Sequence, residues 1–136
     1  MPLAAPLAGS VLSAEGASLV LVEWSDPGGR KDGRQYIAPL HVHHDDDEAW
    51  YVHEGTLRFR LGQEEVEAQA GAAVLAERGT PHTYWNPGPD PARYLLAMTP
   101  RIMALIDALH APDNRDAGAV EALFREHRST YLGWPG

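Results

Sequence analysis

Between residues 17 and 99 the apolar positions fall in short runs, broken about every ten residues by glycine, proline, asparagine or aspartate. The runs over 17–24, 36–43, 49–53, 56–61, 65–69, 72–76, 82–85 and 93–98 each predict a strand. The alternation is clearest where Leu57, Phe59 and Leu61 interleave with Arg58 and Arg60. The turns are equally legible, with Asp26-Pro27-Gly28-Gly29, Glu54-Gly55, Gly62-Gln63, Gly79-Thr80-Pro81 and Asn86-Pro87-Gly88 punctuating the runs. Many short strands at this spacing predict an all-β barrel or sandwich.

The period then changes. Thr99-Pro100 reads as an N-cap followed by proline in the first turn, and Ile102, Leu105, Ile106 and Leu109 recur at helical spacing up to Pro112. A second helix is predicted from about 116 to 127, with Val120, Leu123 and Phe124 on one side. These stripes are expected to cover a barrel mouth or a subunit interface, because a helix must bury its apolar face. The expected organisation is one domain: an N-terminal arm over 1–16 that could carry an edge strand, a barrel over 17–99, and a helical extension over 100–136.

Composition narrows the chemistry. The 136 residues include no cysteine, which excludes disulfides, thiolate metal sites and a cysteine nucleophile. Any metal must be held by nitrogen and oxygen, which favours iron, manganese, nickel or zinc. A formal net charge of −8, without a Lys/Arg stripe, argues against nucleic acid as a partner. No apolar run is long enough to span a membrane, and residues 1–9 lack the features of a signal peptide. A cytoplasmic location is the default expectation.

His41 and His43 are two apart on a predicted strand and therefore share a face, with Val42 on the other. Glu48 follows an acidic stretch, Asp45 to Asp47, and can return to that face as the next strand begins. His82 opens a later strand after a Gly-Thr-Pro turn. Three imidazoles and one carboxylate form a ligand set for a divalent ion and leave coordination positions open. By parity His44 and His53 face away. His110 and His127 lie near helix C-termini, where a cation favours the dipole. The aspartate run lacks the spacing of a calcium loop and reads as an exposed hairpin. Trp50 and Tyr84 share the interior parity.

From His41 to Gly55 the chain resembles the first cupin motif: His-x-His, a gap, Glu, six residues, Gly. From Gly71 to Asn86 it resembles the second, with His82 three residues after Gly79 and Asn86 four after His82. Fifteen residues separate Gly55 from Gly71, as in small bacterial cupins. The chain departs from the pattern at Gln35 and Glu77, both turn positions. The resemblance covers about residues 36 to 98. It implies a double-stranded β-helix (jelly-roll) barrel, one divalent metal ion per chain on His41, His43, Glu48 and His82, and a homodimer. A pocket for a small molecule is expected to draw on Trp50, Tyr84, Asn86 and Arg93.

Three functions remain open at this point. The first is an Fe(II)-dependent dioxygenase acting on a small organic substrate. The second is a non-catalytic small-molecule binding or sensor protein. The third is a metal-dependent isomerase or decarboxylase. One fold hosts many chemistries, so the choice belongs to the site.

Overall fold

The structure is a computed structural model that describes residues 3–29, 35–111 and 116–135. Two five-stranded antiparallel sheets form the body of the molecule. The first has the order β1 (Val11–Leu12), β2 (Val20–Asp26), β9 (Ala92–Met98), β4 (Glu48–Glu54), β7 (Ala73–Ala76). The second has the order β10 (Ser129–Tyr131), β3 (His41–His43), β8 (His82–Trp85), β5 (Thr56–Leu61), β6 (Glu64–Gln69).

Alternation decides which side chains enter the core. In β4, Glu48, Trp50 and Val52 are buried while Ala49, Tyr51 and His53 face outward. In β9, Ala92, Tyr94, Leu96 and Met98 point inward. Leu57 and Phe59 of β5 and Tyr84 of β8 meet them from the opposite sheet, and Val20 and Val22 of β2 join them from their own. The β4–β5 hairpin depends on Gly55, whose φ is 78° and where a Cβ would collide with the Pro91 carbonyl oxygen. Any side chain there would push two strands apart.

Two expectations about strands are corrected. The strand expected over 36–43 is only His41–His43, with an isolated bridge between Tyr36 and Trp85. Pro39 has no N–H to give a ladder and restricts Ala38 before it, so pairing stops there. The tail is not wholly helical either. After the two helices the chain returns as β10, which pairs with β3 in the register Ser129↔His43 and Tyr131↔His41. Three residues are too few to show a period.

The helices begin as expected. α1 (Pro100–His110) is capped by the Thr99 hydroxyl, which accepts from Ile102 N at 3.3 Å. α2 (Ala117–Glu126) is capped by Asp116 Oδ1, accepting from Ala119 N at 2.8 Å. α1 ends at His110, and the expected stop at Pro112 lies outside the described residues. Ile102, Leu105 and Phe124 are buried where the helices close the barrel mouth. Among the described residues no helix is long and apolar enough to cross a membrane.

Candidate metal centre

His41 and His82 are cross-strand partners in β3 and β8, and His43 lies one pleat along on the same face. Glu48, first residue of β4, reaches the same point from the other sheet. All four side chains are buried, and each offers one ligand atom within 4.8 Å of the others. His41 Nε2 is 3.1 Å from His43 Nε2, and Glu48 Oε1 is 3.3 Å from His43 Nε2 and 3.2 Å from His82 Nε2. An ion with bonds of about 2.1 Å separates neighbouring ligand atoms by about 3.0 Å in an octahedron and about 3.4 Å in a tetrahedron. The observed spacings match those edges.

The outer nitrogens explain why the inner ones are free. His41 Nδ1 donates to the Pro39 carbonyl at 2.7 Å, and His82 Nδ1 donates to the Thr80 carbonyl at 2.9 Å. His43 Nδ1 lies 2.7 Å from Ser129 Oγ, whose own proton goes to the His127 carbonyl at 3.1 Å, so the histidine donates. A carbonyl accepts only, so each ring carries its proton on Nδ1 and turns an Nε2 lone pair inward. Three lone pairs and a carboxylate converge with no proton of their own to separate them. Such a set repels itself unless a cation joins it, so the residues fit a metal ion.

The electrostatics agree. Burial, then the neighbouring His82 and His43 rings, lower the pKa of His41 to about 3, so it stays neutral and available. Burial alone would raise Glu48, but hydrogen bonds and charge from His43 and His82, supplied when a proton on Nε2 stands in for an ion, outweigh it and bring the carboxyl to about 2. The carboxylate is thus ionised at any working pH.

The loop between His43 and Glu48 is not the freely exposed hairpin expected of Asp45 to Asp47. Asp46 is buried and pairs with Arg101 at 3.2 Å, and Asp45 pairs with Arg128. Asp47 accepts from the Arg78 backbone N at 2.8 Å and from its guanidinium at 2.9 Å. Gly79 N also donates to the His43 carbonyl at 2.7 Å. These contacts hold both ends of the segment that carries two of the four cluster residues.

The cluster opens onto a cavity of about 540 Å³. His41, His43 and Glu48 lie in its wall, whereas His82 stands behind it. The rest of the wall is mainly apolar and aromatic: Trp50, Tyr84, Tyr94 and Leu96 from the strands, and Ile102, Leu105, Leu109 and Phe124 from the helices. The Phe124 ring lies 5.4 Å from the His41 ring. Trp50 and Tyr84 therefore stand where parity puts them. Asn86 and Arg93 are not brought into this wall. Asn86 Nδ2 donates to the Asp90 carbonyl at 2.8 Å, and Arg93 pairs with Glu23 at 2.6 Å and Glu54 at 3.0 Å. Arg93 has the outward parity of β9, which was readable; the turn bond of Asn86 was not.

The other histidines stand apart from the cluster. His44 is exposed with Nε2 2.7 Å from Thr130 Oγ1, and His53 stacks edge-on to Tyr51 at 5.0 Å. His127 Nδ1 donates to the Leu123 carbonyl at 2.7 Å, while His110 lies at the cavity rim. Sequence reasoning missed Ser129 and Tyr94. The parity of β9 could have found Tyr94, but no local pattern announces that Ser129 would sit against His43.

Comparison with known proteins agrees with this architecture. Residues 32–98 match the model of the cupin domain family. A solved structure from Thermus thermophilus is 28% identical over 65% of this chain and 77% of its own, with a TM-score of 0.54. A Klebsiella pneumoniae protein described as carrying a double-stranded β-helix domain is also 28% identical, over 67% of this chain and 74% of its own, with a TM-score of 0.54. A structure described as a sugar phosphate isomerase of the cupin superfamily from Silicibacter pomeroyi has a TM-score of 0.52 at 22% identity, over 61% of this chain and 51% of its own. At that identity it bears on the fold alone. No curated protein matches. With both motifs folded into two antiparallel sheets around one His/Glu cluster, the chain belongs to the cupin superfamily.

Proposed function

We propose that this chain is a metal-dependent cupin oxygenase acting on a small, largely apolar organic molecule held beneath the two C-terminal helices. The observation that carries the reading is the convergence of three Nε2 lone pairs and the Glu48 carboxylate at the wall of an apolar cavity. Fe(II) bound there would supply electron transfer to dioxygen, a chemistry that zinc does not offer.

The protein's own part follows from its residues. His41, His43 and His82 hold the ion through Nε2, and Glu48 offsets part of its charge. Pro39, Thr80 and Ser129 fix the ring orientations. Ile102, Leu105 and Phe124 exclude water from the space beside the ligands, which strengthens every charge interaction inside.

Among the described residues the cavity wall holds no lysine or arginine, which gives a phosphosugar isomerase no support. A non-catalytic binding or sensor role is favoured by the same apolar cavity, which would hold a ligand as readily as transform it. Oxygen uptake separates the two. The oxygenase reading expects uptake with Fe(II)-loaded protein and an apolar substrate, abolished in His41→Ala and absent with zinc. A ligand that binds the Fe(II) protein and is recovered unchanged without oxygen uptake would leave the binding role. A homodimer belongs to this proposal, supported by the exposure of Tyr51 and Leu75 on the first sheet and of Leu19 just before β2. Its measurement is solution mass.

A further inference from the structure

The two sheets turn different outer faces away from the barrel. On the second sheet the outward positions of β5 and β6 are charged, as water-facing strands commonly are: Arg58 stands across from Glu67, and Arg60 from Glu65. On the first sheet the register lines up another kind of row. Leu12, Leu21, Ala97, Ala49 and Leu75 are successive cross-strand partners through β1, β2, β9, β4 and β7, and every one is apolar. Their chain neighbours Val20, Val22, Met98, Trp50 and Ala76 are buried, so alternation turns this row outward. In the adjacent row Leu95, Tyr51 and Ala73 extend the apolar field from Glu23.

Leu19 is 56% exposed, Leu75 54% and Tyr51 39%. Single exposed apolar side chains are ordinary on a protein surface, but an uncharged row across five strands is not. Between Leu19 and Leu75 the small side chains of Ala49 and Ala97 leave a depression. Charges border the field and are already paired, Arg93 with Glu23 and Glu54 beyond one end and Arg78 with Asp47 beyond the other. An apolar centre inside a polar rim is the anatomy of a protein–protein contact.

We propose that this face receives a second copy of the chain, packed sheet against sheet about a two-fold axis with the row from Leu12 to Leu75 at its core. The inference rests on the homodimer reading above and adds the surface that makes it. A chain of net charge −8 repels its own copies, so they meet where charge is sparse and balanced. The rim carries three acids and two bases, whereas Glu64, Glu65 and Glu67 crowd β6 on the other sheet. A two-fold contact must also complement itself. The alanine-floored depression and the neighbouring Tyr51 put a hollow and a projecting ring on one surface. Five strands about 4.8 Å apart, with outward residues about 6.8 Å apart along each, give a field roughly 20 Å on a side. Two such fields bury on the order of 1,000 Å², enough for a specific contact of modest affinity.

The test is sedimentation velocity on the purified protein over a concentration series spanning the micromolar range, with metal content assayed in each sample. Wild type should pass from monomer to dimer. Leu19→Glu/Leu75→Glu brings four carboxylates into the contact and should raise the dimer dissociation constant about tenfold or more. Leu75→Ser is the gentler variant and should weaken the dimer in the same direction, with folding of each checked by circular dichroism. Leu132→Glu alters a leucine of similar exposure beyond β10, on the edge of the other sheet, and should leave the dissociation constant as in wild type. A monomer at every concentration overturns the inference and the homodimer reading with it. A dimer that survives both Leu75 variants, or that Leu132→Glu disrupts as strongly, overturns this inference alone. A protein that holds no metal but loses its dimer only in the Leu75 variants upholds the inference where the metal reading fails.

Discussion

Ser129 Oγ lies 2.7 Å from His43 Nδ1 across 86 residues of chain, joining the last described strand to a candidate metal ligand on β3. The serine passes its own proton to the His127 carbonyl and therefore receives the histidine's. A hydroxyl at the C-terminal end of the fold thus fixes which nitrogen of His43 faces the cluster. Outer partners of this kind orient a ligand and raise its basicity, and removing one typically weakens metal binding about 10- to 100-fold. Ser129→Ala should show a loss of that size in a chelator-competition titration, with the far-ultraviolet spectrum unchanged. Wild-type affinity in the variant would mean that strand pairing alone holds the ring.

Arg101 does a similar task for the loop that delivers Glu48. It pairs with Asp46, a buried carboxylate that would otherwise be left with an unmatched charge. Arg101→Ala should lower stability by about 1 kcal/mol, since the guanidinium is itself partly exposed. It should also weaken metal binding measurably, because Asp46 is two residues from Glu48. Chemical denaturation with and without metal reads both effects.

Phe124 plugs the barrel mouth beside His41 and is almost fully buried. Phe124→Ala should cost about 3–5 kcal/mol, as large-to-small changes in a packed interior do. It should also admit water to the metal ligands and raise their exchange with chelators. A drop in stability without faster metal release would show that α2 supports the fold but does not seal the centre.

Acid should destabilise the metal-free protein in two stages. His41 has a folded pKa of about 3 against 6.5 unfolded, so between those values the unfolded chain binds the extra proton. Stability therefore falls as pH drops from about 6.5 towards 3. Glu48 has a folded pKa of about 2 against 4.5, and adds a loss of the same sign below about 4.5. Bound metal should steepen the decline, because protons then compete for its ligands. Denaturation midpoints at half-unit pH steps would show this; a shallower slope from about pH 6.5 to 4.5 in His41→Ala than in wild type assigns the difference to that residue, and an unchanged slope contradicts it.

Much of this architecture was legible in the sequence because alternation and turn chemistry are local. Leu57 and Phe59, or Trp50 and Val52, declare their face two residues at a time, and Thr99-Pro100 announces a helix start in two letters. The cluster of four was legible for the same reason: parity pairs His41 with His43, and motif spacing brings in Glu48 and His82. Contacts made at long range were not. Nothing near Ser129 says that a three-residue strand will pair with β3, and nothing near Asp46 says that Arg101 will reach it. Pro39 was visible as a residue but not as the interruption that shortens a strand and frees a carbonyl for His41.

Metal content measured on protein purified without chelators, in wild type, His41→Ala and His44→Ala, tests the central claim most directly. The account predicts close to one transition-metal ion per chain in wild type and in His44→Ala, and little in His41→Ala. It is contradicted by a wild-type protein that holds no ion even after reconstitution, or by His41→Ala retaining as much metal as wild type.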